Sequence, residues 1–343
     1  MQCSRAGESG GNVGQVGRTY PGGGISMNGF NVGIITAAFS DAEGYLFALL
    51  RRADVSSVSV SAFPPEATGV RSLDTGKVRY GLDPRRIWES EQDLILICPE
   101  FYFQIPGEGT DGAAIGWLSG RSNAVEAFPF RTLSSVIETK KAIARGDIGE
   151  IMAVKAFHRG GEAAWRSERV HGYGGAFQDV VHMADALVWM IESPIVEVYA
   201  EAGCDCAAEA GSGPDAVFLH AAFANGATAT IDLTRSSPLI SPVGREFRLE
   251  LVGTEGNLTL DAFRQRNESS GGIHSTRAWS HWGDDLHATF VDAAIASTRT
   301  DGYDFRSDDS RVYEAAAAAQ ESARIGKPVR LGSLFRNSRG ETP

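Results

Sequence analysis

The sequence predicts two domains: a doubly wound α/β domain, then an α+β domain built on an open, mostly antiparallel sheet. Three observations support this fold class. The chain has 343 residues, and at roughly 150 residues per domain this length suits two cores. Strand-like and helix-like segments alternate up to about residue 148. Beyond it, short strand-like runs are joined by hairpin signals such as Asn225-Gly226.

The first half contains the strand–helix alternation. Residues 30–35 form an apolar run typical of a buried strand, and Ser40 to Glu43 have the spacing of a capping box that opens a helix. Further strands are predicted at 58–62, 93–98 and 124–127, the second of them apolar and branched as in a covered parallel sheet. A helix opens near Ser135, and Gly146 can close it.

The second half has a different pattern. Helices are predicted at 176–191, 285–297 and 308–325. Strands are predicted at 151–158, 195–202, 216–223, 227–234, 247–252 and 257–261, and a second turn lies at residues 254–257. We therefore predict a disordered Gly-rich tail over residues 1–26, a Rossmann-like domain over 27–148, an α+β domain over 149–332 and a short tail over 333–343.

Composition excludes several classes of protein. Hydrophobic residues make up 43% and charged residues 22% of the chain, as in an ordinary globular protein. The net charge of −11 does not attract nucleic acid or an anionic membrane, and no apolar run reaches the ~18 residues of a membrane span. Four cysteines are too few for a disulfide framework, which indicates a reducing compartment such as the cytoplasm.

Several motifs in the second half resemble a known family. Gly174 to Asp185 are similar to a glycine-rich entry into an active-site helix, and Glu250 to Leu258 look like a G-T-x-G strand turn. Residues 308–329 look like a closing helix, and Gly146 to Ile151 resemble a domain junction. In this order the motifs resemble the glucose–fructose oxidoreductase / inositol dehydrogenase / MocA family.

The resemblance implies a Rossmann domain, NAD or NADP as cofactor, and oxidation or reduction of a sugar, cyclitol or related alcohol. It places the cofactor beside the ends of the strands predicted at 30–35 and 93–98, and beside Glu126. The positions that it assigns to cofactor binding are Thr36, Ala37, Ala38, Phe39, Cys98, Pro99 and Glu126.

The nucleotide-binding half departs from this family pattern. Thr36, Ala38 and Asp41 stand where three glycines would let backbone amides approach a pyrophosphate. The second strand ends without the acid that would bind the ribose hydroxyls, and Glu126-Ala127-Phe128-Pro129 lacks the lysine of the family's E-K-P motif. The segment from Glu126 to Gly146 is also short, which predicts that a strand and a helix are missing.

A literal G-x-G-x-x-G motif occurs at residues 107–112, and Glu126 follows Gly107 by 19 residues. Pro106 precedes the motif, and no clear strand leads into it. We interpret the motif mainly as an acidic surface loop, with nucleotide binding as the alternative, because a lone match of this kind has little specificity.

The strongest catalytic candidate is His182, which lies in the predicted helix and can act as a general acid or base near neutral pH. The alternative is a core histidine held by a hydrogen bond. Asp179 lies three residues earlier on the same helix face and can orient it, although an aspartate in the first turn is also favoured by the helix dipole. Gln178 occupies the position where the family pattern has an aspartate.

No metal site is predicted. Cys204-Asp205-Cys206 lacks the spacing of a zinc knuckle, and His274, His281 and His287 cluster only loosely. We expect a homo-oligomer that forms through the C-terminal sheet. Three functions remain open: an NAD(P)-dependent oxidoreductase, a non-redox family member that serves as a binding or scaffold subunit, or a lyase or isomerase that uses His182 with another ligand.

Overall fold

The computed structural model describes residues 29–62, 76–103, 121–159, 176–203, 214–234, 246–271, 276–299 and 311–332. The predicted tails and the motif at residues 107–112 lie outside these ranges. In the described part, no helix is both long and apolar enough to cross a membrane.

The first half builds a parallel sheet of five strands in the order β3-β2-β1-β4-β5. The strands are β1 (Phe30–Ile35), β2 (Val55–Val60), β3 (Val78–Arg79), β4 (Leu94–Ile97) and β5 (Ala124–Glu126). Strands β1 and β4 are fully buried over most of their length, which explains their continuous apolar sequence. The order reverses between β1 and β4, as in a doubly wound fold, and the predicted fold class is confirmed.

Helix α1 (Phe39–Leu50) follows β1, and helix α2 (Pro84–Glu89) precedes β4. The predicted capping box of α1 is wrong, because the N-cap is Ala38 and no side chain caps it. The Thr36 hydroxyl donates to the Ala38 carbonyl at 2.7 Å and closes the turn ahead of the helix. The helix therefore begins before Ser40, which lies in its first turn.

Two helices and no strand connect β5 to β6 in the continuously described stretch 121–159. They are a 3-10 helix (Pro129–Thr132) and α3 (Ser134–Ala144). Gly146 follows α3 with a φ of 76°, a left-handed conformation that glycine adopts without strain, and it ends the helix as predicted. The short segment after Glu126 therefore omits the strand whose absence the sequence predicts.

The second half builds a nine-stranded sheet in the order β13-β12-β11-β10-β6-β9-β8-β7-β14. The strands are β6 (Ile151–Arg159), β7 (Ile195–Gly203), β8 (Ala216–Phe223), β9 (Thr228–Thr234), β10 (Glu246–Gly253), β11 (Gly256–Asp261), β12 (Arg266–Gly271), β13 (Thr276–His281) and β14 (Val329–Arg330). Only β6 and β9 pair in parallel, so the sheet is mostly antiparallel as predicted. Strands β12 and β13 were not predicted, since their polar residues give no apolar alternation.

Helices α4 (Ala176–Ile191) and α6 (Arg311–Ile325) pack together and contribute to the core over one face of this sheet. Helix α5 (Leu286–Arg299) instead packs on α1 of the first half. Its residues Phe290, Val291, Ala294 and Ile295 are buried in the core that covers β1 and β2. The core of the parallel sheet is thus completed by a helix from the C-terminal part of the chain.

Two of the family-like motifs contact each other. The Thr254 amide donates to the Glu150 carbonyl at 2.9 Å, and the Glu255 amide donates to the Ile148 carbonyl at 3.0 Å. A Cβ atom on Gly253 would lie 2.0 Å from the Ile148 carbonyl oxygen. Glycine is needed there because the strand turn and the junction between the two sheets approach backbone to backbone.

A buried ion pair attaches α4 to the segment that follows β5. The Arg131 Nε atom donates to an Asp185 carboxylate oxygen at 2.8 Å, and a second guanidinium nitrogen contacts the other oxygen. Both side chains are almost fully buried. Burial raises the pKa of Asp185, and the Arg131 charge offsets part of that rise. The bidentate geometry fixes the rotation of α4 relative to the parallel sheet.

We expect Arg131→Met to lower the free energy of unfolding by about 3–5 kcal/mol at neutral pH, because it leaves the Asp185 carboxylate buried without its cation. The loss should become smaller as the pH is lowered, because burial raises the pKa of Asp185 and protonation then removes that charge. Urea unfolding over a series of pH values measures this effect. The double variant Arg131→Met/Asp185→Leu should recover most of the stability. If the double variant is as unstable as the single one, buried charge is not the cause.

Candidate active site

Candidate residues gather at the carboxyl edge of the parallel sheet. Thr36 follows β1, Cys98 and Pro99 follow β4, and Glu126 ends β5. The strand order reverses between β1 and β4 at this edge, and such switch points are where open α/β sheets bind ligands. The structure therefore brings the predicted cofactor residues to one edge.

The turn after β1 is closed by hydrogen bonds within the protein. The Thr36 amide donates to the Ser61 hydroxyl oxygen at 2.8 Å, and that hydroxyl donates to the Thr36 carbonyl at 2.6 Å. Ser61 directly follows β2, where a dinucleotide fold would carry its ribose-binding acid. The Thr36 amide is consequently engaged by Ser61.

The next three residues that the sequence assigns to cofactor binding, Ala37, Ala38 and Phe39, differ in how far a ligand could reach them. Ala37 is partly buried and Ala38 is the uncapped N-terminus of α1. Phe39 is fully buried and meets the Tyr80 ring edge-on, with 6.1 Å between ring centroids. The Phe39 side chain is therefore part of the core, and only its backbone lies at the turn.

Negative charge surrounds the edge next to β4. The buried Cys98 thiol lies 3.7 Å from the Asp41 carbonyl oxygen. Burial raises the pKa of Cys98, and the carboxylates of Glu100 and Asp41 raise it further. The same causes, together with Cys98, raise the pKa of the buried Tyr45 phenol. An anionic group would meet an unfavourable potential here.

His182 reaches this edge from helix α4. Its Nε2 atom lies 2.6 Å from Oε1 of Glu100, which sits in the 3-10 helix Pro99–Phe103 after β4. Each of the two side chains is 13% exposed, so the pair is shielded from most of the solvent. The contact joins the 3-10 helix that follows β4 of the first sheet to helix α4, which packs on the second sheet.

The surroundings of His182 favour its charged form. Burial lowers the pKa of the imidazole, but the charge and hydrogen bond of Glu100 raise it, and the carboxylates of Asp179 and Asp185 add to the rise. The net result is a pKa above the usual 6.5. His182 is thus suited to hold or release a proton near neutral pH.

The second ring nitrogen of His182 has a different environment. Its Nδ1 atom is buried and has no hydrogen-bond partner among the described residues. The edges of Phe128 and Phe130 contact the imidazole, with centroids 5.8 and 6.5 Å away. Phe130 in turn stacks on Phe247 at 3.9 Å, which ties the ring cluster to β10.

The structure gives His182 another hydrogen-bond partner than the sequence predicts. Asp179 is buried on the same helix, but its Oδ1 atom lies 3.9 Å from Nδ1 of His158 on β6. It therefore acts on His182 through its charge. Gln178, one helical turn before His182, is partly buried. The candidates on α4 lie together, but the hydrogen bond at Nε2 belongs to Glu100.

Sequence reasoning missed Glu100 and Phe130 as parts of this cluster. One signal was available for Glu100, since an acid directly follows Cys98-Pro99 at the carboxyl end of a buried strand. Ala127 occupies the place that the resemblance gives to the E-K-P lysine. It is fully buried, and its carbonyl accepts a long hydrogen bond of 3.4 Å from Tyr45.

Within the described ranges, no group of three or more His, Cys, Asp or Glu side chains is arranged to hold a metal ion. His287 packs edge-on against Tyr45 at 4.8 Å between α1 and α5, and His281 ends β13. His274 and the Cys204–Cys206 segment lie outside the described residues.

Comparisons with known proteins agree with this architecture. Residues 136–259 match the family model of the GFO/IDH/MocA C-terminal domain. No curated protein matches the chain. The matched range begins inside α3 and ends in β11, so it spans α4 and the central strands of the large sheet.

Solved structures share the whole fold. A levoglucosan dehydrogenase in complex with NADH and levoglucosan has a TM-score of 0.69 at 17% identity, covering 89% of this chain and 100% of that one. An oxidoreductase from Agrobacterium radiobacter, in complex with NAD+, L-tartaric acid and magnesium, has 0.68 at 15%, covering 89% and 99%. The myo-inositol 2-dehydrogenase from Lactobacillus plantarum has 0.65 at 17%, covering 88% and 99%.

At these identities the neighbours establish the fold. The family match covers the part of the chain that carries His182 and the strand turn at Thr254. The resemblance seen in the sequence is therefore confirmed: residues 136–259 match the C-terminal domain of the GFO/IDH/MocA family, and the chain has the fold of the solved oxidoreductases.

Proposed function

We propose that the protein is an NAD(P)-dependent oxidoreductase of the Gfo/Idh/MocA type that acts on a sugar, cyclitol or related alcohol or ketone. The observation that carries this proposal is the His182–Glu100 pair, which places an acid–base group at the switch point of the parallel sheet. The solved neighbours include a levoglucosan dehydrogenase and an inositol dehydrogenase, which supports a polyhydroxylated substrate. The low cysteine count supports a cytoplasmic location.

The carboxyl edge of the parallel sheet lies where a doubly wound fold binds a dinucleotide. Helix α1 has 12 residues, and no side chain caps its N-terminus at Ala38, where the helix dipole favours a phosphate. Alanine has the smallest side chain after glycine, so Ala37 and Ala38 leave room for a ligand to approach the backbone of the turn. These residues, with Cys98 and Pro99 at the end of β4, would hold the cofactor.

Two features of the same edge weaken that fit. The Thr36 amide is already bonded to Ser61, and Asp41 puts a carboxylate in the first turn of α1. A like charge at a helix N-terminus opposes the dipole that favours phosphate. We therefore expect binding that is real and weak, with no ribose-binding acid after β2.

The chain's own residues supply positioning and proton transfer. His182 would exchange the proton of the substrate hydroxyl, while Asp179 and Glu100 balance its charge. Gln178, one turn earlier on α4, is placed to contact a substrate hydroxyl. A bound nicotinamide would accept or supply the hydride, which is the chemistry that the protein itself lacks.

The second candidate function is a non-redox binding or scaffold subunit. The specific observation that favours it is the Ser61–Thr36 pair of hydrogen bonds, which fills the place where a ribose and a pyrophosphate would bind. Such a protein would keep the fold and the large sheet without turnover. Cofactor titration separates the two functions.

An interaction surface lies on the face of the large sheet opposite its helices. Pairing between neighbouring strands aligns one row of residues across this face. In order across the sheet, the row consists of Arg248, Phe157, Asp232, Phe218 and Glu201. Phe218 is 55% exposed, which is costly for a lone aromatic side chain. A two-fold axis at the centre of the row would set Arg248 against Glu201 and Phe157 against Phe218, which favours the contact, and would set Asp232 against its own copy, which opposes it. We infer a homo-oligomer that forms through this face.

The first prediction concerns cofactor affinity. NADH and NADPH should bind the purified protein with a dissociation constant weaker than on the order of 1 μM, followed by nicotinamide fluorescence. Asp41→Asn should strengthen binding by about threefold to tenfold, since it removes the opposing charge. Glu43→Gln removes an equal charge two residues further along α1, about half a helical turn away, and should change the affinity less. Tightly bound cofactor in the purified protein would refute the expected weakness, and no binding at millimolar concentration would favour the scaffold function.

The second prediction concerns His182. His182→Gln should reduce turnover of a polyol substrate by about 10²–10⁴-fold, because general acid–base catalysis is lost. The NADH affinity should stay within about twofold, since His182 lies on α4 and not at the pyrophosphate turn. His220→Gln, on the outer face of β8, serves as the matched control and should keep normal turnover. Equal activity of the His182 and His220 variants would exclude the proposed role.

The third prediction concerns assembly. Phe218→Asp should convert the oligomer to a monomer in light scattering at micromolar concentration, because a charge replaces an exposed apolar side chain of the row. Ile325→Asp changes another exposed apolar residue, at the end of α6, and should leave the mass unchanged. A wild-type protein that is monomeric at this concentration would contradict the inferred interface.

A further inference from the structure

We propose that Glu100 is the positioning residue of His182: its carboxylate accepts the Nε2 hydrogen, and this leaves Nδ1 as the atom that exchanges the substrate's hydroxyl proton. This inference rests on the proposed oxidoreductase function and adds the atom, the tautomer and the partner that the function needs. It assigns to Glu100 the orienting role that the sequence predicts for Asp179.

The tautomer follows from the hydrogen bond. An ionised carboxylate has no hydrogen to donate, so the 2.6 Å contact between Glu100 Oε1 and His182 Nε2 requires the hydrogen to sit on Nε2. A neutral imidazole carries one N–H, and its other nitrogen is an acceptor. The neutral form of His182 therefore presents a lone pair at Nδ1.

The position of Nδ1 indicates a ligand contact. Nδ1 is buried and has no hydrogen-bond partner among the described residues. A buried acceptor without a partner is destabilising, and a substrate hydroxyl donating to it would remove that cost. The rings of Phe128 and Phe130 pack against the imidazole and cover part of it.

The proton transfer balances without another group. In the oxidation direction, the O–H bond of the substrate breaks, its proton forms an N–H bond at Nδ1, and imidazole becomes imidazolium. The new positive charge lies against the Glu100 carboxylate, which forms a charge-assisted pair with it. In the reduction direction, the same proton returns from Nδ1 to the substrate oxygen.

Asp179 is less suited to this role because of what it faces. Its Oδ1 atom lies 3.9 Å from Nδ1 of His158 on β6, whereas Glu100 lies within hydrogen-bond distance of the His182 ring. The other charged or titratable groups around His182 are Asp185 on the same helix, Arg131 bound to it, Lys140 of α3 at the far end of α4, and Tyr313 of α6 beyond the Phe128 ring. Glu100 is the group that contacts an imidazole nitrogen.

The first test needs no substrate. Two-bond ¹⁵N–¹H spectra of the uniformly labelled wild-type protein report which nitrogen of a neutral histidine carries hydrogen, and His182→Gln assigns the signals. We expect the Nε2–H tautomer for His182 and a titration midpoint above the usual 6.5. A Nδ1–H tautomer would overturn the proposal, whether or not the protein turns over a polyol.

The second test compares two charge-neutralising variants. Glu100→Gln should move the His182 midpoint to lower pH, because the main source of its elevation is removed, whereas Asp179→Asn should move it less. In turnover, Glu100→Gln should shift the pH inflection in the same direction and lower kcat by at least about tenfold, with a smaller change in KM. A larger shift for Asp179→Asn would return the role to Asp179. Absence of all turnover would refute the proposed function, while the spectra would still decide the role of Glu100.

Discussion

The buried ion pair between Arg131 and Asp185 attaches the segment after the parallel sheet to helix α4. Arg131 belongs to the segment that leaves the parallel sheet, and Asp185 lies on the helix that covers the large sheet. Because the pair is bidentate, α4 can neither slide nor rotate relative to β5. His182 lies one turn from Asp185 on that helix, so the pair also sets where its ring meets Glu100.

The candidate site combines a suitable position with an unsuitable charge. The switch point, the uncapped start of α1 and the imidazole lie at one edge. Asp41 and Glu100 place two carboxylates at the same edge, and both raise the pKa of the Cys98 thiol beyond the effect of its burial. Glu100, which also raises the pKa of His182, thus makes this edge less favourable for an anionic ligand.

Sequence patterns predicted the elements with strong periodicity and missed those without it. The sequences of β1, β4 and α4 (Ala176–Ile191) predict these elements directly, because burial requires apolar residues at regular positions in them. Strands β12 and β13 are polar and are held by pairing with β11, which no local pattern reveals. Glu100 was missed for a related reason: its partner lies 82 residues away, and only the fold brings the two together.

Helix α5 has a consequence for how the chain acquires its structure. Phe290 and Val291 complete the core over β1 and β2, and Arg299 pairs with Asp54 at 3.5 Å across 245 positions of sequence. Until residues 286–299 have been synthesised, the apolar flank of α1 that faces α5 therefore lacks its partner. Contacts of such long sequence separation form slowly. The core of the amino-terminal half is thus completed only after most of the large sheet has been synthesised.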